Sequence, residues 1–246
     1  MRRISSITAV AAFTVASFVA SASESAEEII SIFPKDAGTF LIVNAQTRVG
    51  DAELRRVTSS ILMGVNLKLD IVKGGKRPAF DAVPAELSKL NARGAIWIVD
   101  DPALPVSLAA VEDCWGVLNV HPLLSGTTEE KGRRRFLCAA LRLFASLFDV
   151  GDSVSMPACV MRPSSGVVGL DSLECAEYSP EAFMKIQAGL DKAGFKAGFT
   201  GTYEDACSEG IAPAPTNAVQ KAIWDRVHQL PSEPIKILPE KKKMVK

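Results

Sequence analysis

The stretch TTEEKGRRRFLCAALRLFASLFD, residues 127–149, decides the fold. Thr127 followed by Glu130 forms a capping box, which predicts that a helix starts here. From Phe136 onward this helix is apolar on nearly every face. Because a helix that is apolar all round must be buried, we expect it to pass through the core and to run to about Asp149.

The chain before this helix alternates apolar runs with amphipathic segments. Two helices are expected, one starting at Asp51 and a short one through 84–90. The predicted strands cover 39–44, 66–72, 94–99 and 116–120. This order predicts an α/β (α+β) fold, with a mixed twisted sheet and packed helices. The close succession of the strands near 97 and 117 also permits an antiparallel edge.

The chain after the helix changes in composition. Residues 151–172 are rich in Gly, Ser and Pro and predict an irregular loop. Ser179 and Pro180 start another helix, and a last one begins near Thr216. Three prolines then predict an extended tail, namely Pro231, Pro234 and Pro239.

The N-terminus has the pattern of an export signal. A basic start, Met1-Arg2-Arg3, is followed by an apolar stretch from Ile4 to Val19 and a small-x-small sequence that ends at Ala22. The apolar stretch is shorter than the roughly 20 residues of a spanning helix, which favours cleavage near Ala22 over an anchor. We expect a periplasmic or extracellular protein without a membrane span in the mature chain.

These boundaries predict three segments. Residues 1–22 are the signal peptide, 23–210 form the α/β domain, and 211–246 form a C-terminal helix and a proline-containing tail. The chain has 28 basic and 28 acidic residues, so it lacks the excess of positive charge typical of nucleic-acid binding. No sequence motif for nucleotide binding or for α/β-hydrolase chemistry is present.

The predicted buried helix can be aligned with the active-site helix of a metzincin zinc protease. That motif needs two imidazoles one helical turn apart, a glutamate beside the first, a glycine turn, a third imidazole, and a methionine turn below. Ala139 then takes the first ligand position, Ala140 the general base, and Leu143 the second ligand. The remaining positions fall on Ser146 for the glycine, Asp149 for the third ligand and Met161 for the methionine turn.

Three segments carry a family resemblance. The sequence Cys159-Val160-Met161 resembles the methionine turn of the archaemetzincin-like branch of the metzincins. Residues 112–120 resemble the strand before the active-site helix in related secreted bacterial proteins, and 212–231 resemble the C-terminal stretch of the same set. The resemblance spans roughly 95–240 and implies a metzincin-like fold and peptide hydrolysis.

The residues at the aligned positions argue against that hydrolysis. Zinc is held there by neutral imidazoles, and a glutamate takes the proton from the bound water. Alanine and leucine side chains can do neither, and Asp149 alone is not a zinc site. We therefore expect no cofactor and no zinc-dependent catalysis, and we interpret Met161 as a core methionine.

The resemblance also bears on two of the five cysteines. In this branch, cysteines at and after the methionine turn bind a second zinc. Cys159 matches one such position and Cys175 is a candidate for another, but Tyr178 stands where its partner would be. In an oxidising compartment, a disulfide between Cys159 and Cys175 becomes the expected replacement.

Three functional interpretations stay open. The first is an exported pseudoprotease that binds a protein or peptide ligand. The second is an enzyme of unrelated chemistry that uses carboxylates near the cleft, such as Glu112, Asp113 and Asp149. The third is a structural, envelope-associated protein. The oligomeric state stays open.

Overall fold

The protein is seen in a computed structural model that describes residues 29–63, 65–152, 159–173 and 176–229. The predicted signal peptide, Cys175 and the proline-containing tail lie outside these ranges. The strands are β1 (Ile29–Ile32), β2 (Phe40–Asn44), β3 (Leu69–Lys73), β4 (Gly94–Val99), β5 (Ser107–Ala110), β6 (Trp115–Asn119) and β7 (Phe199–Thr202). The helices are α1 (Asp51–Leu62), α2 (Val83–Lys89), α3 (Val120–Leu124), α4 (Glu129–Ser146), α5 (Gly166–Asp171), α6 (Pro180–Lys192), α7 (Tyr203–Ser208) and α8 (Ala218–Gln229).

The main sheet has five strands in the order β3-β2-β4-β6-β5. β2 is parallel to β3 and β4, and β4 is parallel to β6, whereas β5 is antiparallel to β6 at the edge. β2, β4 and β6 are buried at every position, as expected for parallel strands that are covered on both faces. A separate antiparallel pair joins β1 to β7. The predicted mixed α/β fold is confirmed.

Helix α4 forms the centre of the core on one face of the sheet. Phe144 is fully buried, and its ring lies 5.3 Å from that of Phe40 on β2 and 5.0 Å from that of Phe148. The opposite face of the sheet is covered in part by α2, whose Val83 and Leu87 belong to a second apolar cluster. None of the helices in the described ranges is long and apolar enough to cross a membrane.

Several details differ from the sequence-based expectations. The N-cap of α4 is Thr128, whose hydroxyl accepts a hydrogen bond from the N–H of Lys131, so the capping box predicted at Thr127 is wrong. β5 supplies the antiparallel edge, and β4 and β6 are themselves parallel. The segment predicted as a loop at 151–172 contains α5, and the short elements β1, β7, α3 and α7 were not predicted.

Charged side chains attach α4 to α5. The guanidinium of Arg135 forms a bidentate pair with Asp171, with both N–O distances at 2.7 Å, and Lys131 Nζ lies 2.9 Å from the same carboxylate. These two cations, Arg135 first, hold the pKa of Asp171 well below its ordinary value of 3.8. The folded state therefore favours the ionised carboxylate more than the unfolded chain does.

This pair generates a pH-dependent prediction for Asp171→Asn. A carboxylate whose pKa is lowered by folding contributes stability above its unfolded pKa, and this contribution is lost as the pH falls. We expect the variant to be less stable than the wild type at pH 7, and the difference to shrink below about pH 4. Chemical denaturation across the pH range measures it.

The control is Asp191→Asn on α6, where an exposed carboxylate takes part in no salt bridge among the described residues. Its stability difference from the wild type at pH 7 should be smaller than that of Asp171→Asn. A pH-independent difference for Asp171→Asn would contradict the assignment.

Candidate functional site

The aligned ligand and base positions lie on the buried side of α4. Ala139, Ala140 and Leu143 are each at most 4% exposed and belong to the main core cluster. Leu143 packs on β6 at Gly116, where an added Cβ would lie 2.9 Å from a methyl carbon of Leu143. The second ligand position is therefore filled by a side chain that fits against a bare strand backbone.

The glycine turn of the motif is missing. Ser146 is still helical, and its hydroxyl donates a hydrogen bond to the carbonyl of Arg142, 2.9 Å away. The residue with left-handed backbone is instead Asp149, with φ of 60°. The N–H of the next residue, Val150, donates a hydrogen bond to the carbonyl of Ala145 at the end of the helix. Asp149 is exposed, so the third ligand position faces solvent rather than the positions on α4.

The methionine turn lies directly beneath α4. The N–H of Arg162 donates to the carbonyl of Cys159 at 3.0 Å, which closes a tight turn with Val160 and Met161 at its centre. Both central side chains are buried in the main core. The N–H of Val160 also donates to the carbonyl of Glu177 at 2.7 Å, which pairs the turn with the segment before α6.

Arg142 connects α4 to this turn. One guanidinium nitrogen donates to the carbonyls of Val160 at 2.8 Å and Arg162 at 2.7 Å. The other donates to the carboxylate of Asp152 at 2.8 Å. A single side chain, placed between the first and second aligned ligand positions, thus contacts both the turn and Asp152, a few residues after the end of α4.

The thiol of Cys159 does not form the expected disulfide. It is a free, buried thiol in the structure, and its sulfur accepts hydrogen bonds from the N–H groups of Met161 at 3.4 Å and Ser179 at 3.2 Å. The disulfide predicted between Cys159 and Cys175 is therefore absent, because the sulfur is oriented towards these backbone donors.

Tyr178 occupies the position expected for a further cysteine and serves as a tether. Its hydroxyl donates to the carbonyl of Leu141 on α4 at 2.7 Å. Burial, and then the neighbouring Cys159, raise the pKa of Tyr178 well above 10. The phenol therefore stays protonated and keeps this hydrogen bond at physiological pH.

A small cleft remains above α4. A cavity of about 210 Å³ is bordered by Ala139 and Arg142 on α4, by Ser107 at the start of β5, and by Gly166 and Leu170 on α5. Among the described residues, no strand pairs with the outer edge of β5. Ala139, although only 4% exposed, thus borders a small cavity beside the outer edge of β5, whereas Leu143 is packed against the sheet.

The predicted cleft carboxylates do not come together in this cleft. Glu112 and Asp113 lie in the turn between β5 and β6, and both are exposed. Asp113 borders another cavity, at the amino ends of the parallel strands, which neither Glu112 nor Asp149 borders. None of the three lines the cavity at Ala139.

The sequence reasoning missed a polar cluster at the carboxyl ends of β4 and β6. His121 Nδ1 lies 2.9 Å from Asp100 Oδ1, and a guanidinium nitrogen of Arg48 lies 3.3 Å from the same oxygen. Buried Asn119 accepts from the N–H groups of Asp101 and His121, which places the imidazole beside Asp100. The signal in the sequence is that these residues directly follow two adjacent parallel strands.

The residues at the aligned positions of this chain do not have the side chains needed to bind the zinc ion of a metzincin. The aligned donor set is two aliphatic side chains and one exposed carboxylate, and none of these gives a nitrogen ligand. Over the described ranges, no group of three His, Cys, Asp or Glu side chains is placed to bind a metal ion. The chemistry of the cleft is therefore that of its hydroxyl, apolar and guanidinium groups.

Comparisons with known proteins give the fold a family context. No model of a protein family and no curated protein matches this chain. Solved structures of archaemetzincin-like zinc peptidases do match. An archaemetzincin from Methanopyrus kandleri is 17% identical, with a TM-score of 0.50, and the match covers 64% of this chain and 98% of that one.

Two further structures are similar to smaller extents. A zinc-dependent peptidase from Methanocorpusculum labreanum is 14% identical over 61% of this chain and 100% of its own, with a TM-score of 0.44. An archaemetzincin from Archaeoglobus fulgidus, complexed with malonate, is 15% identical over 60% of this chain and 99% of its own, with a TM-score of 0.43. The first of the three matches supports the metzincin-like fold predicted from the sequence.

The Arg142 contacts generate a stability prediction. Arg142→Met keeps the aliphatic stem but leaves two carbonyls and a carboxylate without their donor. We expect a loss of about 2–4 kcal/mol in the free energy of unfolding, since hydrogen bonds from a charged donor contribute about 1.5–3 kcal/mol each and are not additive. Amide hydrogen exchange should accelerate at Val160 and Arg162.

The matched control is Arg133→Met on the same helix. Arg133 forms ion pairs with Glu53 and Glu129, but half of its side chain is exposed. Its loss should cost less than about 1 kcal/mol, and exchange in the methionine turn should not change. Equal losses in the two variants would show that Arg142 has no special role.

Proposed function

We propose that this protein is an exported, non-catalytic metzincin-like protein that binds an extended peptide segment in the cleft between β5 and α5. The observation that carries the proposal is the combination at Ala139. The aligned position of the first metal ligand is an alanine that borders a small cavity, and this cavity adjoins the edge of β5, with which no described strand pairs. A cleft that cannot hold zinc but stays accessible supports binding rather than hydrolysis.

The backbone of β5 is oriented for strand addition. The N–H of Asn119 donates to the carbonyl of Val106, and Ser107 lies opposite Leu118. In an antiparallel ladder the hydrogen-bonded and non-hydrogen-bonded pairs alternate. Ser107 with Leu118, and Ala109 with Gly116, are therefore non-hydrogen-bonded pairs. The backbone groups of Ser107 and Ala109 point away from β6, so a partner strand can pair with them.

The cavity next to this edge selects the side chain of the ligand. Its volume of about 210 Å³ accommodates one side chain of moderate size. Its lining combines the methyl of Ala139 and the side chains of Val106 and Leu170 with the hydroxyls of Ser107 and Ser164. Arg142 also lines it, but the guanidinium of this residue already donates to protein acceptors. We infer a preference for a small or medium apolar residue at the position that enters it.

Strand addition can be tested with a displayed library of random peptides about ten residues long, enough to pair along β5. We expect selected peptides to share one apolar position and to bind the wild type. Ala109→Pro removes an outward N–H without removing a bond to β6, so it should weaken binding at least about tenfold. Ala109→Thr keeps that N–H and should bind like the wild type.

Both variants are checked for unchanged thermal unfolding before binding is compared. Equal binding by Ala109→Pro and Ala109→Thr would place the peptide elsewhere. A library from which no peptide binds saturably would contradict the peptide-binding function.

The two other interpretations have less support. An enzyme that uses Glu112, Asp113 and Asp149 would need these carboxylates around one cavity, and their positions do not provide it. A purely structural protein would be expected to close the cleft with larger side chains. The alanine at 139 and the glycine at 166 leave it open instead.

Export is the second part of the proposal, and it is supported by the basic, apolar and small-residue pattern of 1–22. Cleavage after Ala22 predicts a mature chain that begins at Ser23. Intact mass measurement of the protein from an envelope or culture fraction tests this. A chain that keeps Met1 and stays in the cytoplasm would contradict export.

A further inference from the structure

A second cavity lies away from the peptide cleft, at the amino ends of the parallel strands. It has a volume of about 590 Å³, within the usual range for small-molecule sites, and shares no lining residue with the cleft at Ala139. Its walls come from the segment before β2, from α2, and from the residues just before β3, β4 and β6. The inference drawn from it is independent of the proposed function.

The charges around this cavity are unbalanced. Lys35, Lys68 and Arg93 line it, and none of them forms a salt bridge with any described carboxylate. Of the two lining acids, Asp36 is already paired with Lys196, and this hydrogen bond is the main cause of its lowered pKa. Three cations thus face one uncompensated carboxylate, that of Asp113.

The side chain of Arg93 lies against backbone and forms no salt bridge with a described carboxylate. Its side chain crosses Gly38, where an added Cβ would lie 2.8 Å from Arg93 Nε, and its guanidinium passes close to Gly194. Both glycines have positive φ values, 76° and 79°, which side chains rarely adopt. The two turns therefore leave room for the Arg93 side chain to lie across them, at the rim of the cavity.

One part of the remaining lining is apolar, and polar side chains of Thr39, Ser88 and Asn91 form the other part. Pro84 and Leu87 of α2 and Ala92 just after it border the same space as the cations. Inorganic anions gain nothing from such a wall, whereas an organic anion can place its apolar part there. A guanidinium forms two parallel hydrogen bonds to a phosphate-type group, and nearby lysines add charge.

We propose that this cavity is a binding site for a small organic anion that carries a phosphate-type group. The group is bound by Arg93 with Lys35 and Lys68, and the organic part lies against α2. Asp113 faces the same space and weakens binding of a dianion.

Calorimetric titration of the whole purified chain with phenyl phosphate tests the site. We expect saturable binding with a Kd of about 1 mM or tighter, weaker binding of inorganic phosphate, and none of phenol. Arg93→Gln should weaken binding of phenyl phosphate at least about tenfold, and Lys68→Gln severalfold. Asp113→Asn should strengthen it, because it removes a repelling charge.

Lys89→Ala is the matched control. Lys89 lies on α2, pairs with Glu86 and does not border the cavity, so its removal should leave the Kd unchanged. Lys68→Gln keeps the test valid if Arg93→Gln does not fold. The proposal is overturned if phenyl phosphate does not bind below about 10 mM, if phenol binds equally well, if Lys89→Ala weakens binding as much as the cavity variants, or if Asp113→Asn weakens it.

Discussion

Arg142 donates hydrogen bonds from the middle of α4 to the carbonyls of Val160 and Arg162 and to the carboxylate of Asp152. These bonds position the methionine turn and Asp152, and Arg142 itself borders the cleft. Tyr178 adds a fourth link, from the segment before α6 to the carbonyl of Leu141. The geometry of the site is thus supported by hydrogen-bond donors on α4 and on the segment before α6.

The sequence predicted the parts of the fold that depend on apolar patterning. The continuous apolar runs of β2 and β4 and the all-round apolar character of α4 leave few alternatives to burial, so their positions agree with the structure to within a few residues. The short β5, β1 and β7 were missed because four-residue strands with alternating exposure give no such pattern. The predicted end of α4, near Asp149, lies three residues beyond its last helical residue, Ser146, because a turn with a left-handed Asp149 follows the helix.

The candidate site was predictable only in part. The helix and the tight turn to which the zinc-protease motif was aligned are both present and buried, because apolar patterning constrains both segments. The alignment could not show that Arg142 would bridge them, since the acceptors are backbone carbonyls, which carry no signal in the sequence. The pairing of His121 with Asp100, and the position of the Arg93 side chain across Gly38 and Gly194, depend in the same way on contacts between distant segments.

The measurement that tests the account most directly is the zinc content of the folded, purified protein after equilibration with zinc, combined with cleavage of a peptide library in the presence and absence of a chelator. The account predicts no stoichiometric zinc and no chelator-sensitive cleavage, because Ala139, Ala140 and Leu143 supply neither metal ligands nor a general base. One tightly held zinc ion per chain, together with cleavage that the chelator abolishes, would contradict it.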